Sequence, residues 1–462
     1  EIGELAKHQW DSVPATIYEY HSKTKFWRWK KDQNPLIWII TNYEFIGHGV
    51  EGRSGNWHGD KLDPLMAQCD NKTMLVLDES SWVKSHKAQR TRACMMLRSK
   101  CSRVVELNGT PISQSPKDLY SQARILDWRI LGCKTNKDFV ARYAITEPMV
   151  LKDGRRFSNI VGWRNIAELQ QRMAPYVLRR IRTECLDLPP KLSPVALTAT
   201  LTPETWRMYR DLREELIIQL SEDRTVSAAQ AGVRVMRLAQ LTSGFLGGVE
   251  EEVSCPDCQG SNINCLKCGG AGVTYVRLPE PQEVGREKLN LLISWVEQRL
   301  EEEPDFRMII WCRFRPEIFR TIRELRHHFK QINVQAIHGG QGKDDRHRAL
   351  KLMHPDHQDY AGPAVLIGTI GTGSVGLNMA GGHEVIYLSN GNSLFQRKQS
   401  EDRPHGPGQT QPVAYHDIIA EGPKGQRTVD HLIVANLHKR EEVADWTVSA
   451  WVSALKQEAE EG

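Results

Sequence analysis

Short apolar runs bounded by turn residues occur in two sets along this chain, with stretches long enough for a helix between them. In the first set stand Leu36 to Ile40 (LIWII), Met74 to Leu77 (MLVL) and Val104 to Leu107 (VVEL). In the second stand Met308 to Trp311, Val334 to Ile337, Ala364 to Gly368 and Glu384 to Leu388, separated by amphipathic segments such as Arg315 to His328. Runs this short fit strands buried on both faces, and helices between successive strands bring those strands parallel. The pattern predicts an α/β protein with two parallel sheets.

Between the two sets the character changes. In LTPETWRMYRDLREELIIQL, Leu201, Trp206, Tyr209, Leu212 and Leu216 fall near helical spacing. Thr202 before Pro203 and Glu204 predicts a helix start with Thr as cap and Pro in the first turn. A Gly- and Cys-rich island, Gly247 to Gly272, follows, and the second alternation begins near Glu287. At 462 residues the chain is long enough for two or three domains. The composition shifts place them at 1–195, 196–285 and 286–462. With 40% hydrophobic and 26% charged residues the class is globular rather than disordered. No apolar run approaches the roughly 18 residues of a membrane span, and Glu1 to Trp10 has no signal-peptide core. The expectation is a cytoplasmic protein without membrane contact. A net charge of +4 is too small to argue for nucleic acid, so any such binding must come from local patches.

Six of the ten cysteines are scattered (Cys69, Cys94, Cys101, Cys133, Cys185, Cys312), and four crowd into CPDCQGSNINCLKCGGAG. Two Cys-x-x-Cys knuckles put the thiolates of Cys255, Cys258, Cys265 and Cys268 within reach of one tetrahedral zinc, and Gly260, Gly269 and Gly270 allow tight turns around it. Four protein ligands leave no open position, so the zinc is expected to be structural. The alternative is four free thiols in a loop. Either reading fits a reducing compartment.

Two further segments carry chemistry. LVLDES, residues 75–80, ends a strand in the adjacent carboxylates Asp78 and Glu79, at the sheet edge where α/β folds place ligands. In a nucleotide hydrolase one such acid holds magnesium and the next polarises the attacking water. A helix opening on acidic residues would look the same. Some thirty residues on, ELNGTPISQSPKDLYSQARIL turns at Asn108-Gly109-Thr110-Pro111 and starts a helix near Pro116 and Asp118. The segment HSKTKFWRWKK, residues 21–31, interleaves Lys25, Arg28 and Lys30 with Phe26, Trp27 and Trp29. Cations for phosphates and aromatic faces for bases suit a single strand, and an amphipathic helix with solvated lysines is the other reading. The basic residues from Lys84 to Arg103 cannot all share one helix face, so only some are free to track phosphate.

In combination and in order, these motifs resemble the superfamily-two helicase-related motors of the Swi/Snf type. Further matches are YVLRRIRTECLDLPPK at 176–191, Ile309 to Phe314, His338-Gly339 with Arg346, TGSVGLN at 372–378 and QSEDRPHGPGQ at 399–409. Together they span the chain from about Trp10 to Trp446. The resemblance implies two RecA-like parallel-sheet lobes, with the helical and zinc-ribbon-like insertion between them, that sandwich ATP and magnesium. It implies that Asp78 and Glu79 act on the nucleotide and that Arg403 stabilises transition-state charge. It assigns Gly109, Thr110, Gly373, Gly376, Asn378 and Gln399 to coupling and to nucleotide or DNA contact, and Arg179 and Arg180 to nucleic acid. The implied activity is DNA-dependent ATP hydrolysis that drives movement on duplex DNA by a monomer, without strand separation being implied, in a compact style similar to bacterial and bacteriophage members.

Three departures accompany the matches. The phosphate loop GxxxxGK[ST] does not occur: Gly342-Lys343 is followed by Asp, and Ser22-Lys23-Thr24 lacks the glycines. The expectation is that the first strands of lobe one precede Glu1, through truncation, a split gene or a misplaced start, or are supplied by a separate polypeptide. Ser81 stands where the family often has His, and Gly406 stands where it usually carries a second arginine, for which Arg397 is a weak substitute. A non-hydrolysing nucleic-acid scaffold is therefore the second reading, and a zinc module supported by the lobes is the third.

Overall fold

The computed structural model describes residues 13–21, 36–53, 56–109, 111–112, 115–150, 156–180, 185–222, 228–247, 250–254, 273–277, 280–356, 362–373 and 377–439. They divide into a first unit ending at Arg179 and a second running from Arg180 to Lys439.

In the first unit, β1 (Ala15–Glu19) and β2 (Leu36–Ile40) pair in parallel, Ala15 opposite Leu36. The short strands β3 (Glu51–Arg53) and β4 (Asn56–His58) form an antiparallel hairpin. β5 (Met74–Leu77) and β6 (Arg103–Glu106) make a second parallel pair, Met74 opposite Arg103. Parallel neighbours cannot be joined by a tight turn, and the helix Gln89–Lys100 supplies the crossover. Its Ala93, Cys94 and Leu97 pack with Leu77, Val83 and Leu62 into one core. β6 begins one residue earlier than the apolar run predicts, because Arg103 can pair at the strand's open end. Leu107 still donates its N–H to the Leu77 carbonyl, at 2.9 Å. A second core forms where the helices Asp118–Asp127, Asn136–Tyr143 and Ile166–Met173 bring Leu119, Phe139, Tyr143 and Leu169 together. Thr135 caps the middle helix reciprocally with Asp138. β7 (Ala144–Val150) and β8 (Arg156–Trp163) complete the unit as an antiparallel hairpin. Among the described residues, its parallel strands form two pairs rather than one continuous sheet.

The second unit opens with β9 (Val195–Thr200) and the helices Pro203–Glu222 and Ala228–Thr242. Thr202 Oγ1 accepts from the Thr205 N–H at 3.3 Å, the cap its sequence predicts. Two small antiparallel pairs follow, β10 (Phe245–Leu246) with β13 (Gln282–Glu283), and β11 (Glu250–Ser254) with β12 (Val273–Arg277). The cysteine island between β11 and β12, with Cys255, Cys258, Cys265 and Cys268, lies outside the described residues.

The remaining strands are β14 (Arg307–Cys312), β15 (Asn333–Ile337), β16 (Ala364–Thr369), β17 (Glu384–Tyr387) and β18 (Ala414–Glu421). With β9 they form a six-stranded sheet in the order β15-β16-β14-β17-β18-β9, every pair parallel. Strand periodicity explains its continuous apolar runs. In β14, Met308, Ile310 and Cys312 face one core with Leu292, Val296 and Ile318 from the helices Glu287–Glu302 and Arg315–His328. Ile309 and Trp311 face the other core, with Ala349, Met353 and Tyr387. β9, which straddles the compositional boundary at 195, is bonded into this sheet. The helical segment after it is tied there as well: Val429 N–H donates to Tyr209 Oη at 2.8 Å, and Thr242 Oγ1 to Asp430 at 3.0 Å.

Candidate nucleotide site

β5 ends at buried Leu77 and the chain turns sharply at Asp78 and Glu79. Glu79 takes φ 49° and ψ 52°, a left-handed conformation that costs a residue with a Cβ on the order of 1 kcal/mol. Strain of this kind persists where surrounding bonds enforce it. Here Asp78 Oδ1 accepts the Glu79 N–H at 3.0 Å, and Tyr43 Oη donates to the Asp78 carbonyl at 2.6 Å. Burial, with Cys94 and Asp78 nearby, pushes the Tyr43 phenol well above its ordinary range, so it stays a donor.

The next residues tie this corner to the second turn. Ser80 N–H donates to the Leu107 carbonyl at 3.0 Å, and Ser80 Oγ, wholly buried, donates to Gln122 Oε1 at 2.9 Å. Asn108 Nδ2 bridges back to Ser80 Oγ (3.3 Å) and Gln122 Oε1 (3.4 Å). Gln122 Nε2 then donates to the Pro111 carbonyl at 2.9 Å and to that of Asp118 at 2.8 Å. The network holds Asp78-Glu79 and Asn108-Gly109 as one corner at the carboxyl edge of the β5–β6 pair. Thr110 lies outside the described residues.

Sequence reasoning missed Ser80 and Gln122. Gln122 is the legible one: an amide buried on the apolar face of a helix must have its partners satisfied. Ser81 is buried too, and its hydroxyl has no partner among the described residues. Glu106, at the end of β6, is a third surprise. Burial pushes its carboxyl up to about 8, and its Oε1 has no partner among the described residues.

Asp78 is exposed, and its carboxylate is the hard oxygen donor that magnesium prefers, so the residues present fit that ion. The ion would supply charge neutralisation at a phosphate.

In the second unit Arg403 follows the helix Leu394–Asp402. Its carbonyl accepts the Met379 N–H at 3.1 Å, and Asn378 Nδ2 donates to the Pro407 carbonyl at 3.3 Å. Two separate motifs thus meet at Asn378 and Arg403. Gln399 is buried there. Gly373 ends the short helix Ile370–Gly373, and Gly376 lies outside the described residues. Arg397 is committed elsewhere. It is buried with Nε on Glu401 (2.6 Å), Nη1 on Asp417 (2.5 Å) and on Asn390 (2.7 Å), and its guanidinium lies 3.4 Å from the Tyr387 ring centroid. Despite burial, Arg397 and Lys191 hold the Glu401 carboxyl below its ordinary value. Such a network keeps Arg397 from reaching a phosphate.

Of the basic candidates, Lys25, Arg28 and Lys30 lie outside the described residues. Arg179 is half-buried and Arg180 exposed, beside the exposed Leu178. Within Lys84 to Arg103 the structure separates structural from solvated cations. Arg90 Nε is held by the Trp82 carbonyl at 2.7 Å, and Arg98 by those of Leu126 and Cys101 at 3.1 and 2.8 Å. No group of three or more metal-ligating side chains occurs among the described residues, which exclude the four-cysteine island. No helix among them is long and apolar enough to cross a membrane.

In the first unit an acidic corner stands at the carboxyl end of a parallel strand, the edge at which α/β folds place ligands. The SNF2-related domain model matches residues 3–243, more than half of the chain, and the chain belongs to that family. Among curated relatives it is 33% identical over 133 residues to the DNA annealing helicase and endonuclease ZRANB3 of Bos taurus, covering 28% of this chain and 12% of that one. It is 22% identical over 403 residues to the human TATA-binding protein-associated factor 172 (82% and 21%). It is 21% identical over 411 residues to the CHD3-type chromatin-remodeling factor CHR7 of Arabidopsis thaliana (87% and 29%). The chain thus spans less than a third of the length of each of these relatives. A solved Sulfolobus solfataricus SWI2/SNF2 ATPase core in complex with dsDNA aligns over 99% of this chain and 82% of its own, at 19% identity and a TM-score of 0.36.

Proposed function

We propose that this chain is a DNA-dependent ATPase of the SNF2 class that moves on duplex DNA. The observation that carries the reading is the acidic corner: Asp78 and Glu79 locked by Ser80, Asn108 and Gln122 to the Asn108–Pro111 turn. In this reading Asp78 holds magnesium and Glu79 orients and polarises the attacking water. Gly109 and Thr110 connect hydrolysis to the DNA strand. Asn378, Gly373, Gly376, Gln399 and Arg403 serve nucleotide and DNA, with Arg403 countering charge in the transition state. Lys25, Arg28, Lys30, Arg179 and Arg180 contact phosphates. Membership of a family of ATPases supports ATP and magnesium as its ligands.

The test is ATP turnover with and without duplex DNA, on this chain and on the longest open reading frame containing it, with Glu79→Gln as control. Turnover that DNA stimulates and Glu79→Gln abolishes is the expected result. Two observations favour a scaffold that binds DNA without hydrolysis: Gly406 replaces the family's second arginine, and Arg397 is locked away from any substrate. Retained DNA affinity with no turnover in either form would establish that reading.

We also propose that Cys255, Cys258, Cys265 and Cys268 hold one structural zinc. Metal analysis of the purified chain is expected to give close to one zinc per molecule, lost on replacing Cys255 and Cys258 by Ser. Unchanged metal content in that variant would refute the assignment.

A further inference from the structure

Asn-Gly occurs twice in this chain, at Asn108-Gly109 after β6 and at Asn390-Gly391 after β17. The dipeptide is chemically labile: the glycine amide nitrogen, with no side chain beside it to hinder approach, closes onto the preceding asparagine side chain. Closure requires that the asparagine amide leave its hydrogen-bond partners and that water and base reach the peptide. The fold treats the two places differently. Asn390 is only 8% exposed; its Nδ2 donates to Asp417 Oδ1 at 2.7 Å, and its Oδ1 accepts from Arg397 Nη1 at 2.7 Å. Both partners are buried and ion-paired to each other, so that amide is clamped at both ends. Asn108 is half-buried and Gly109 exposed. Asn108 Nδ2 stands 3.3 Å from Ser80 Oγ and 3.4 Å from Gln122 Oε1, at or beyond the long end of the range for such bonds. A Cβ built on either glycine meets no atom within 4 Å, so crowding does not distinguish the two places; the hold on the amide does.

We propose that Asn108 is a site of spontaneous deamidation, and that the fold confines to it a reaction the sequence offers at both dipeptides. Hydroxide removes the Gly109 amide proton, and the nitrogen attacks Asn108 Cγ. The N–Cγ bond forms, the Cγ–Nδ2 bond breaks, and Nδ2 takes a proton from water and leaves as ammonia. Water then opens the imide at Cγ to give aspartate, or at the Asn108 backbone carbonyl carbon to give isoaspartate, in which the main chain runs through the former side chain. No electron is transferred; water is consumed and ammonia released in equal amounts. Either product replaces an amide donor by a carboxylate that only accepts. Gln122 Oε1 then faces a second acceptor, and isoaspartate also lengthens the main chain at the turn. The link from Asn108 to the buried Ser80–Gln122 pair is lost, and with it one tie between that turn and Asp78-Glu79. The reaction rests on local geometry and is independent of any ATP turnover.

The folded chain is held for days at mildly alkaline pH and digested in acid, and the peptides containing Asn108 and Asn390 are followed by mass spectrometry. A parallel sample is unfolded in urea. Aspartate and isoaspartate are expected to accumulate at position 108 of the folded chain while Asn390 stays intact, and both asparagines are expected to convert in urea. Conversion of Asn390 as fast as Asn108 in the folded chain, an Asn108 that persists there, or failure of both to convert in urea would each overturn the proposal. In Gly109→Ala, for which the backbone has room, conversion at Asn108 is expected to be lost; its persistence would overturn closure through the Gly109 nitrogen. Asn108→Asp, which supplies one product directly, is expected to lower the urea midpoint of unfolding, and a midpoint equal to the parent's would overturn the loss of the link. Mapping of the unaltered chain decides the modification even if neither variant folds.

Discussion

Glu106 shows what a single buried carboxyl does to a fold. It sits opposite Leu77 in the β5–β6 register, and its carboxyl titrates near 8 because burial disfavours the charged form. In the unfolded chain it titrates near the usual glutamate value of about 4.3. Between those values the folded protein keeps a proton that the unfolded chain has released. This contribution is therefore complete below about pH 4 and declines as pH rises to about 8, by at most about 1.4 kcal/mol per pH unit. Glu106→Gln removes the titration and keeps the shape. Urea midpoints measured from pH 5 to pH 8 should show the variant gaining on the parent as pH rises. A constant difference across that range would exclude the titration.

The same scale shows what sequence discloses about the site. Asp78, Glu79 and the Asn108–Pro111 turn are legible because their chemistry follows from residue type and from position after a strand. Ser80 and Gln122 are not, since a serine and a glutamine become informative only once burial obliges them to find each other. Glu79's backbone strain is invisible for a related reason: nothing in its side chain asks for a left-handed conformation.

At the scale of elements, strands with unbroken apolar runs declare themselves, as do helices with a clear stripe. Met74–Leu77 and Arg315–His328 have the bounds their patterns predict. β18 did not declare itself, because His416 and Asp417 interrupt its run. Asp417 is nevertheless buried, paired to Arg397 from a helix some twenty residues away. A buried charge is admissible only with such a partner, and the partner is a tertiary fact. β9 looked like connector because its edge position leaves alternate residues in water.

Within this sheet Gly368 is fixed by packing. A Cβ there would stand 2.6 Å from Ile337 Cγ1, 3.0 Å from Trp311 Cζ3 and 3.1 Å from the Ile337 carbonyl oxygen. Since the backbone oxygen cannot yield as a side chain can, Gly368→Ala should destabilise the second unit by about 1–3 kcal/mol. Denaturant unfolding would show this as a lower midpoint at unchanged slope. A midpoint equal to the parent's would mean that the strand relaxes outward.

For the proposed ATPase activity of the whole molecule, the informative position is Gly406. A Cβ built there meets only the Asp402 carbonyl oxygen, at 3.7 Å, an ordinary contact, so the backbone admits a larger residue. If turnover is limited by the absence of a second arginine, Gly406→Arg should raise DNA-stimulated ATP hydrolysis on the order of tenfold or more. Rates that stay at the parent's level would show that this position is not the limiting one.

The pairing of β9 with β18 has a consequence for how the chain is made. Thr200 and Glu421 face each other across that ladder although 221 residues separate them. At about 5–20 residues per second, β9 leaves the ribosome roughly ten to forty-five seconds before its partner exists. During that interval an apolar edge strand stands ready for any other strand it meets. Nascent second units therefore compete between waiting and mispairing, and slower elongation through the last strand should cost soluble yield even when the finished protein is stable.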